Sequence, residues 1–170
     1  MKFLLGILFT VFVAIVGIFI TRSIEHASKN ILVPNLKKAE MISSGGADYK
    51  DMCAGCHLSP GVNSTDLNSG MYPKPPNFTE ADIVKRYQNE AGARQSFWAI
   101  KHGIMASGMP AWGATHDDDR IWAMVAFIRS LPNLNENQYT MLTTRLDDSM
   151  LDMSFDGEMD MSGDGSEMQH

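Results

Sequence analysis

The sequence predicts an all-α protein in which a single transmembrane helix precedes a small helical domain. Three observations carry this reading. Phe3 to Ile20 form an uncharged apolar run. The middle of the chain places apolar residues at helical spacing between cap and stop signals, and no alternating strand pattern competes. The charge is also uneven. Residues 1–37 hold four Lys/Arg and one Glu, net +3; residues 38–140 hold nine basic and eleven acidic groups, net −2; residues 141–170 hold one Arg and eight acids, net −7. The division that follows is a signal-anchor over 1–21, a tether over 22–43, a packed domain over 44–140 and an acidic tail over 141–170. No basic patch supports nucleic-acid binding.

The apolar run FLLGILFTVFVAIVGIFI contains 18 residues. As a helix it spans about 27 Å, close to the hydrocarbon core of a bilayer. The apolar region of a signal peptide runs about 7–15 residues and ends at a small-residue cleavage site. Here Ile20-Thr21-Arg22 follows with no such site. The run is therefore read as an uncleaved anchor, with a cleaved signal peptide as the alternative. Lys2 lies on one side, Arg22 and Lys29 on the other, so charge counting barely sets the orientation. Pro34 and the polar residues around it suit a short tether.

In the domain, Ala47 to Cys53 is expected to form a short helix. Thr79 is a candidate cap for a helix begun by Glu80 and Asp82. Phe97 and Ile100 belong to the next helix, stopped at Gly103. Asp117 to Asp119 start a last helix whose Ile121, Val125 and Ile128 share one face, and Pro132 ends it.

The stretch CAGCH, Cys53 to His57, holds the only two cysteines of the chain. A structural zinc site needs four ligands, and no second CxxC or spaced histidine pair is present. A redox dithiol follows a β-strand, but SSGGADYKDM upstream lacks one. Covalent haem attachment remains. Two thiols on one helical turn reach the two vinyl groups of a porphyrin, and the adjacent imidazole faces the iron. Such haem is attached outside the cytoplasm. The amino terminus is then inside, and residues from about 22 onward lie in the periplasm or an equivalent space.

The second axial ligand must come from farther along the chain. Met109 in SGMPAWG is best placed. Pro110 stiffens the loop and pushes Met109 toward extended backbone, and Gly108 lets the loop approach the ring. Met105, Met71, His102 and His116 are the rivals. His102 suits the end of a helix, where a cation complements the dipole. His116 fits the acidic turn, while His26 and His170 read as solvated. Trp98, Trp112 and Trp122 read as packing around the porphyrin, with electron relay as the alternative.

The stretches GADYKDMCAGCHLSPG, YPKPPNF, FWAIKHGI-MASGMPAWG and DDRIWAMVAFIRSLP resemble the class I c-type cytochromes, particularly membrane-anchored bacterial mono-haem ones. The resemblance covers roughly residues 44–140 and implies the small cytochrome c helical fold wrapped around one haem. It implies one covalent haem c on Cys53 and Cys56, His57 as proximal ligand and Met109 as distal ligand. A proline carbonyl in the loop after CxxCH would accept the proximal Nδ1–H; Pro76 matches, and Pro75 is the near miss. It further implies a one-electron carrier in the bacterial inner membrane, its haem domain facing the periplasm. Its partners would be a quinol-oxidising complex and a haem-copper terminal oxidase, or it would be a fixed subunit of such a complex. Two other readings stand beside it: a haem enzyme or gas sensor with a labile methionine, and a copper-handling redox protein.

The copper reading rests on the tail. Residues 141–170 contain eight acids, six methionines and no lysine. That composition cannot bury a core, so the tail is expected to be disordered. Thioethers suit Cu(I), and His170 adds an imidazole. Asp160, Ser162, Asp164 and Gly165 fit the opening of a calcium loop, but the closing glutamate would fall past His170. The plainer reading is a solvated tail that tunes partner contact.

Overall fold

The structure, a computed structural model, describes residues 2–105 and 107–144. Helix α1 (Lys2–Ser28) runs unbroken from the amino end. Its Gly6–Ser28 segment has mean hydropathy 2.3 and is long and apolar enough to cross a membrane. Phe9 and Phe12 are more than 60% exposed, so no protein covers that part of the helix. The hydroxyls of Thr10 and Ser23 donate to the carbonyls of Ile7 and Phe19, both at 2.8 Å. Polar groups in an apolar setting need such internal partners. Residues 22–28, expected in the tether, continue the helix because neither Pro nor Gly interrupts them.

Helix α2 (Ala39–Met52) begins eight residues before the expected Ala47. Gly45 and Gly46 read locally as breakers, but close packing requires them. A Cβ on Gly45 would lie 2.1 Å from the Ala123 carbonyl oxygen, and one on Gly46 would lie 2.1 Å from that of Leu142. The short helices α3 (Ala54–His57), α4 (Asp66–Gly70) and α5 (Ala81–Lys85) follow. Thr79 does not cap α5. Its hydroxyl donates to Asn77 Oδ1 at 2.8 Å, and Glu80 holds the cap position without a side-chain bond.

Helix α6 (Glu90–His102) is capped by Asn89, whose Oδ1 accepts from Gly92 N at 2.7 Å, and it stops at Gly103 with φ +70°. Helix α7 (Asp118–Ser130) is capped by Asp117, which accepts from Arg120 N at 2.8 Å. Pro132 lies in a 3-10 turn, Leu131–Asn133. The chain then forms one more helix, α8 (Glu136–Thr143), closed by a reciprocal Asn135–Gln138 capping box. The sequence analysis passed over that box, and α8 crosses the boundary placed after residue 140. Among the described residues there is no strand, only an isolated antiparallel bridge from Ile104 to Met109.

The core forms where α2 crosses α7 and α8 packs on α2. Tyr49 meets Phe127 at 5.4 Å and Tyr139 at 6.5 Å between ring centroids. Every residue of α7 from Ile121 to Ile128 is buried, not only one face. Neighbours on several sides, not amphipathicity alone, set that burial. Asp48 on α2, almost fully buried, takes a two-pronged bond from Arg120 on α7, Nε to Oδ2 at 2.5 Å and a second guanidinium nitrogen to Oδ1 at 2.6 Å. The end of α1 packs against α6. The tail from residue 145 onward, with its copper, calcium and disorder readings, lies outside the described residues.

Candidate haem site

Cys53 ends α2 and opens α3, so the CAGCH turn is built on backbone bonds. His57 N donates to Cys53 O at 2.8 Å, and Cys56 N to the same oxygen at 3.1 Å. Both thiols are free of disulfide; Cys53 is buried and Cys56 half-buried. Burial, then the neighbouring Asp48 and Cys56, pushes the Cys53 thiol up to about 12. After His57 the chain reverses at Leu58, with φ +66° and ψ 174°. A non-glycine residue in that region costs about 1–3 kcal/mol and persists only when its surroundings impose it. The buried Tyr49 hydroxyl supplies part of that constraint by donating to the Leu58 carbonyl at 2.6 Å.

His57 is buried, and its Nδ1 lies 2.8 Å from the Pro76 carbonyl oxygen. A carbonyl only accepts, so Nδ1 carries the proton and a neutral ring keeps its Nε2 lone pair free. Burial lowers the His57 pKa below its usual value, and the Pro76 bond opposes that in part. Phe78 stacks on the imidazole at 4.5 Å with planes 13° apart. Two further side chains secure the turn. Asn68 Nδ2 donates to the Cys56 carbonyl at 2.7 Å, and the Thr65 hydroxyl donates to the Gly55 carbonyl. Thr65 also caps α4, accepting from Asn68 N at 3.0 Å.

Met109 sits on a separate loop and packs, half-buried, against the core. Ile104 N donates to Met109 O at 3.2 Å, and Trp112 N and Gly113 N donate to the carbonyls of Ile100 and Lys101, both at 3.0 Å. The loop is thus tied to the end of α6 at both ends. It turns at Gly103 and Gly108, with φ +70° and +76°. The rivals differ in position. Met105 is 93% exposed. His102 is exposed and its ring meets Trp98 at 4.8 Å. His116 is buried, with Nδ1 2.8 Å from the Thr115 hydroxyl. Met71 is half-buried with its methyl against Gly108. Trp122 is buried and stacks on Phe97 at 4.3 Å.

The sequence analysis missed Tyr49, Thr65, Asn68 and Phe78. The T-D-L-N stretch carried a legible cap signal, but nothing local shows that the capping residues also bind the CAGCH backbone. The donor set fits a covalent haem: two free thiols on one turn, an imidazole with one nitrogen already engaged, and a thioether on a tied loop. Among the described residues no group of three His, Cys, Asp or Glu is arranged to hold a metal ion directly.

The family model of cytochrome c oxidase, cbb3-type, subunit III matches residues 40–128, just over half of the chain. The matched stretch contains CAGCH, Pro76 and Met109. This domain type is a class I c-type cytochrome domain, which implies haem c and haem-based electron transfer and points to a respiratory oxidase complex. No curated protein and no solved structure matches the chain. With its helical domain and more than half of its length matched, the chain belongs to the family of subunit III of cbb3-type cytochrome c oxidase.

Proposed function

We propose that this chain is a membrane-anchored one-electron carrier with one covalent haem c, held by Cys53 and Cys56 and ligated by His57 and Met109. It passes electrons between respiratory complexes or serves as the haem subunit of one. The observation that carries this reading is the 2.8 Å His57–Pro76 bond inside the stretch matched by the family. Bound haem would supply the Fe(III)/Fe(II) couple, and ligation by His57 and Met109 would raise its potential.

The residues around it position and shield. The Pro76 carbonyl sets the His57 tautomer and raises its basicity. Phe78 covers the face of the imidazole and keeps water away. Tyr49, Thr65 and Asn68 hold the backbone of the attachment turn. The Gly103 and Gly108 turns carry Met109. The α1 helix anchors the chain in the bacterial inner membrane, amino terminus inside and haem domain in the periplasm. Anchoring raises the effective concentration near membrane partners. The electron donor is a quinol-oxidising complex and the acceptor a haem-copper terminal oxidase.

The test is the optical spectrum of the haem-loaded protein in detergent, ferric and ferrous, with and without CO. A low-spin spectrum with a ferric sulfur-to-iron band, indifferent to CO, is expected, and Met109→Ala should abolish the band. A large CO shift in the unaltered protein would sink the carrier reading in favour of an enzyme or gas sensor with an open sixth site.

A further inference from the structure

A cavity of about 420 Å³ lies between the last turns of α1 and the end of α6. Phe19, Ile20 and Ser23 form its wall on the membrane helix, and Trp98 and His102 form the wall on α6. Met109 closes it on the loop side. Cys53, Cys56, His57 and Pro76 do not line it, so it is separate from the attachment turn. Its volume falls within the range of about 300–1,000 Å³ of small-molecule sites, which are mostly apolar with a few polar groups.

We propose that this cavity binds the ring of a membrane-soluble quinone or hydroquinone. Phe19 and Ile20 close the uncharged run, so the cavity lies where the helix leaves the bilayer and an occupant enters from the lipid. The wall contains no Lys, Arg, Asp or Glu, so it does not complement a phosphate headgroup. It does contain two polar side chains, Ser23 and His102. The Ser23 hydroxyl donates to the Phe19 carbonyl at 2.8 Å and keeps lone pairs to accept a further bond. The His102 ring meets Trp98 at 4.8 Å and adds a nitrogen able to donate or accept. A flat ring bearing oxygens suits aromatic walls that carry two polar side chains; an acyl chain uses neither polar group. An apolar tail on the ring would run along α1. Because Met109 lines the same cavity, the occupant borders the loop that carries the proposed iron ligand. The inference goes beyond the carrier reading and does not depend on which residue ligates the iron.

The test uses the full-length, haem-loaded protein in lipid nanodiscs and a photoreactive benzoquinone with a short alkyl tail. Labelled peptides are mapped by mass spectrometry. Label is expected on segments 19–24 and 98–109, displaced by an excess of unlabelled short-chain benzoquinone. Ser23→Phe, which fills the cavity from the anchor, and His102→Leu, which removes a polar contact, should each weaken displacement about tenfold or more, the loss of one or more good contacts. An unchanged haem spectrum in both variants shows that they remain folded. Label that spreads along α1 without displacement, as an acyl-chain groove would give, overturns the proposal. So does displaceable label elsewhere in the chain, or displacement indifferent to both substitutions. Loss of the sulfur-to-iron band in the unaltered protein would count against the carrier reading and leave this one standing.

Discussion

Cys53 and Cys56 are the same residue type three positions apart, yet the fold treats them differently. Only the thiolate is nucleophilic, and the Cys53 thiol is pushed up to about 12 by burial and by Asp48. Cys56 is half-buried. In haem-free protein, iodoacetamide should therefore modify Cys56 about tenfold or more faster than Cys53; equal rates in a folded sample would refute the assignment. His57 gives a prediction in pH. Its pKa is lowered in the fold from 6.5, so the unfolded chain binds the extra proton first. Its contribution to haem-free stability is complete above 6.5 and is lost as pH falls from there through the folded value. Urea midpoints between pH 7.5 and 5 should fall accordingly, and a flat profile in that window would contradict it. Gly103 is set by conformation and by space: φ is +70°, and a Cβ would meet Met109 O at 2.7 Å. Gly103→Ala should cost more than about 1 kcal/mol and weaken the sulfur-to-iron band.

At the scale of elements, α2 approaches α7 and α8 equally closely, through Gly45 and Gly46. A Cβ on Gly45 would sit 2.1 Å from a backbone oxygen that cannot swing aside. Gly45→Ala should cost about 1–3 kcal/mol or more, as overpacking does, although alanine is the better helix former. Denaturant unfolding of the haem-loaded protein decides between the two effects, and a stabilised variant would reverse the account of why α2 holds two glycines. Asn135→Ala removes half of the α8 capping box and should cost about 1 kcal/mol. These two elements also mark where local reading succeeds and fails. The helix started by Asp117 was legible because cap, acidic turn and apolar spacing agree within a few residues. The start of α2 was not, because the partners that make its glycines necessary lie on α7 and α8.

For the molecule as a whole, none of the buried apolar core cluster among the described residues comes from α1. The packed domain should therefore hold together without the anchor, even though α1 touches α6 and its last residue, Ser28, is buried. Full-length protein should stay with membranes through an alkaline carbonate wash, whereas a form beginning at residue 30 should be soluble with the same low-spin spectrum. A shorter form that loses haem would show that α1 is part of the haem domain.

By itself the sequence determined the chemistry that local order encodes: an apolar run long enough to cross a bilayer, two thiols and an imidazole on one turn, the helix start at Asp117, and Met109 ahead of a stiffening proline. Periodicity and side-chain chemistry suffice for these, because the groups concerned lie within a few bonds of one another. The tertiary structure decided which groups meet across the chain. The Pro76 carbonyl reaches His57 from 19 residues away, Arg120 reaches Asp48 from 72 residues away, and the end of α1 lies on α6. Such contacts depend on where whole helices cross, which follows from the sum of many packed surfaces and from no single stretch of residues.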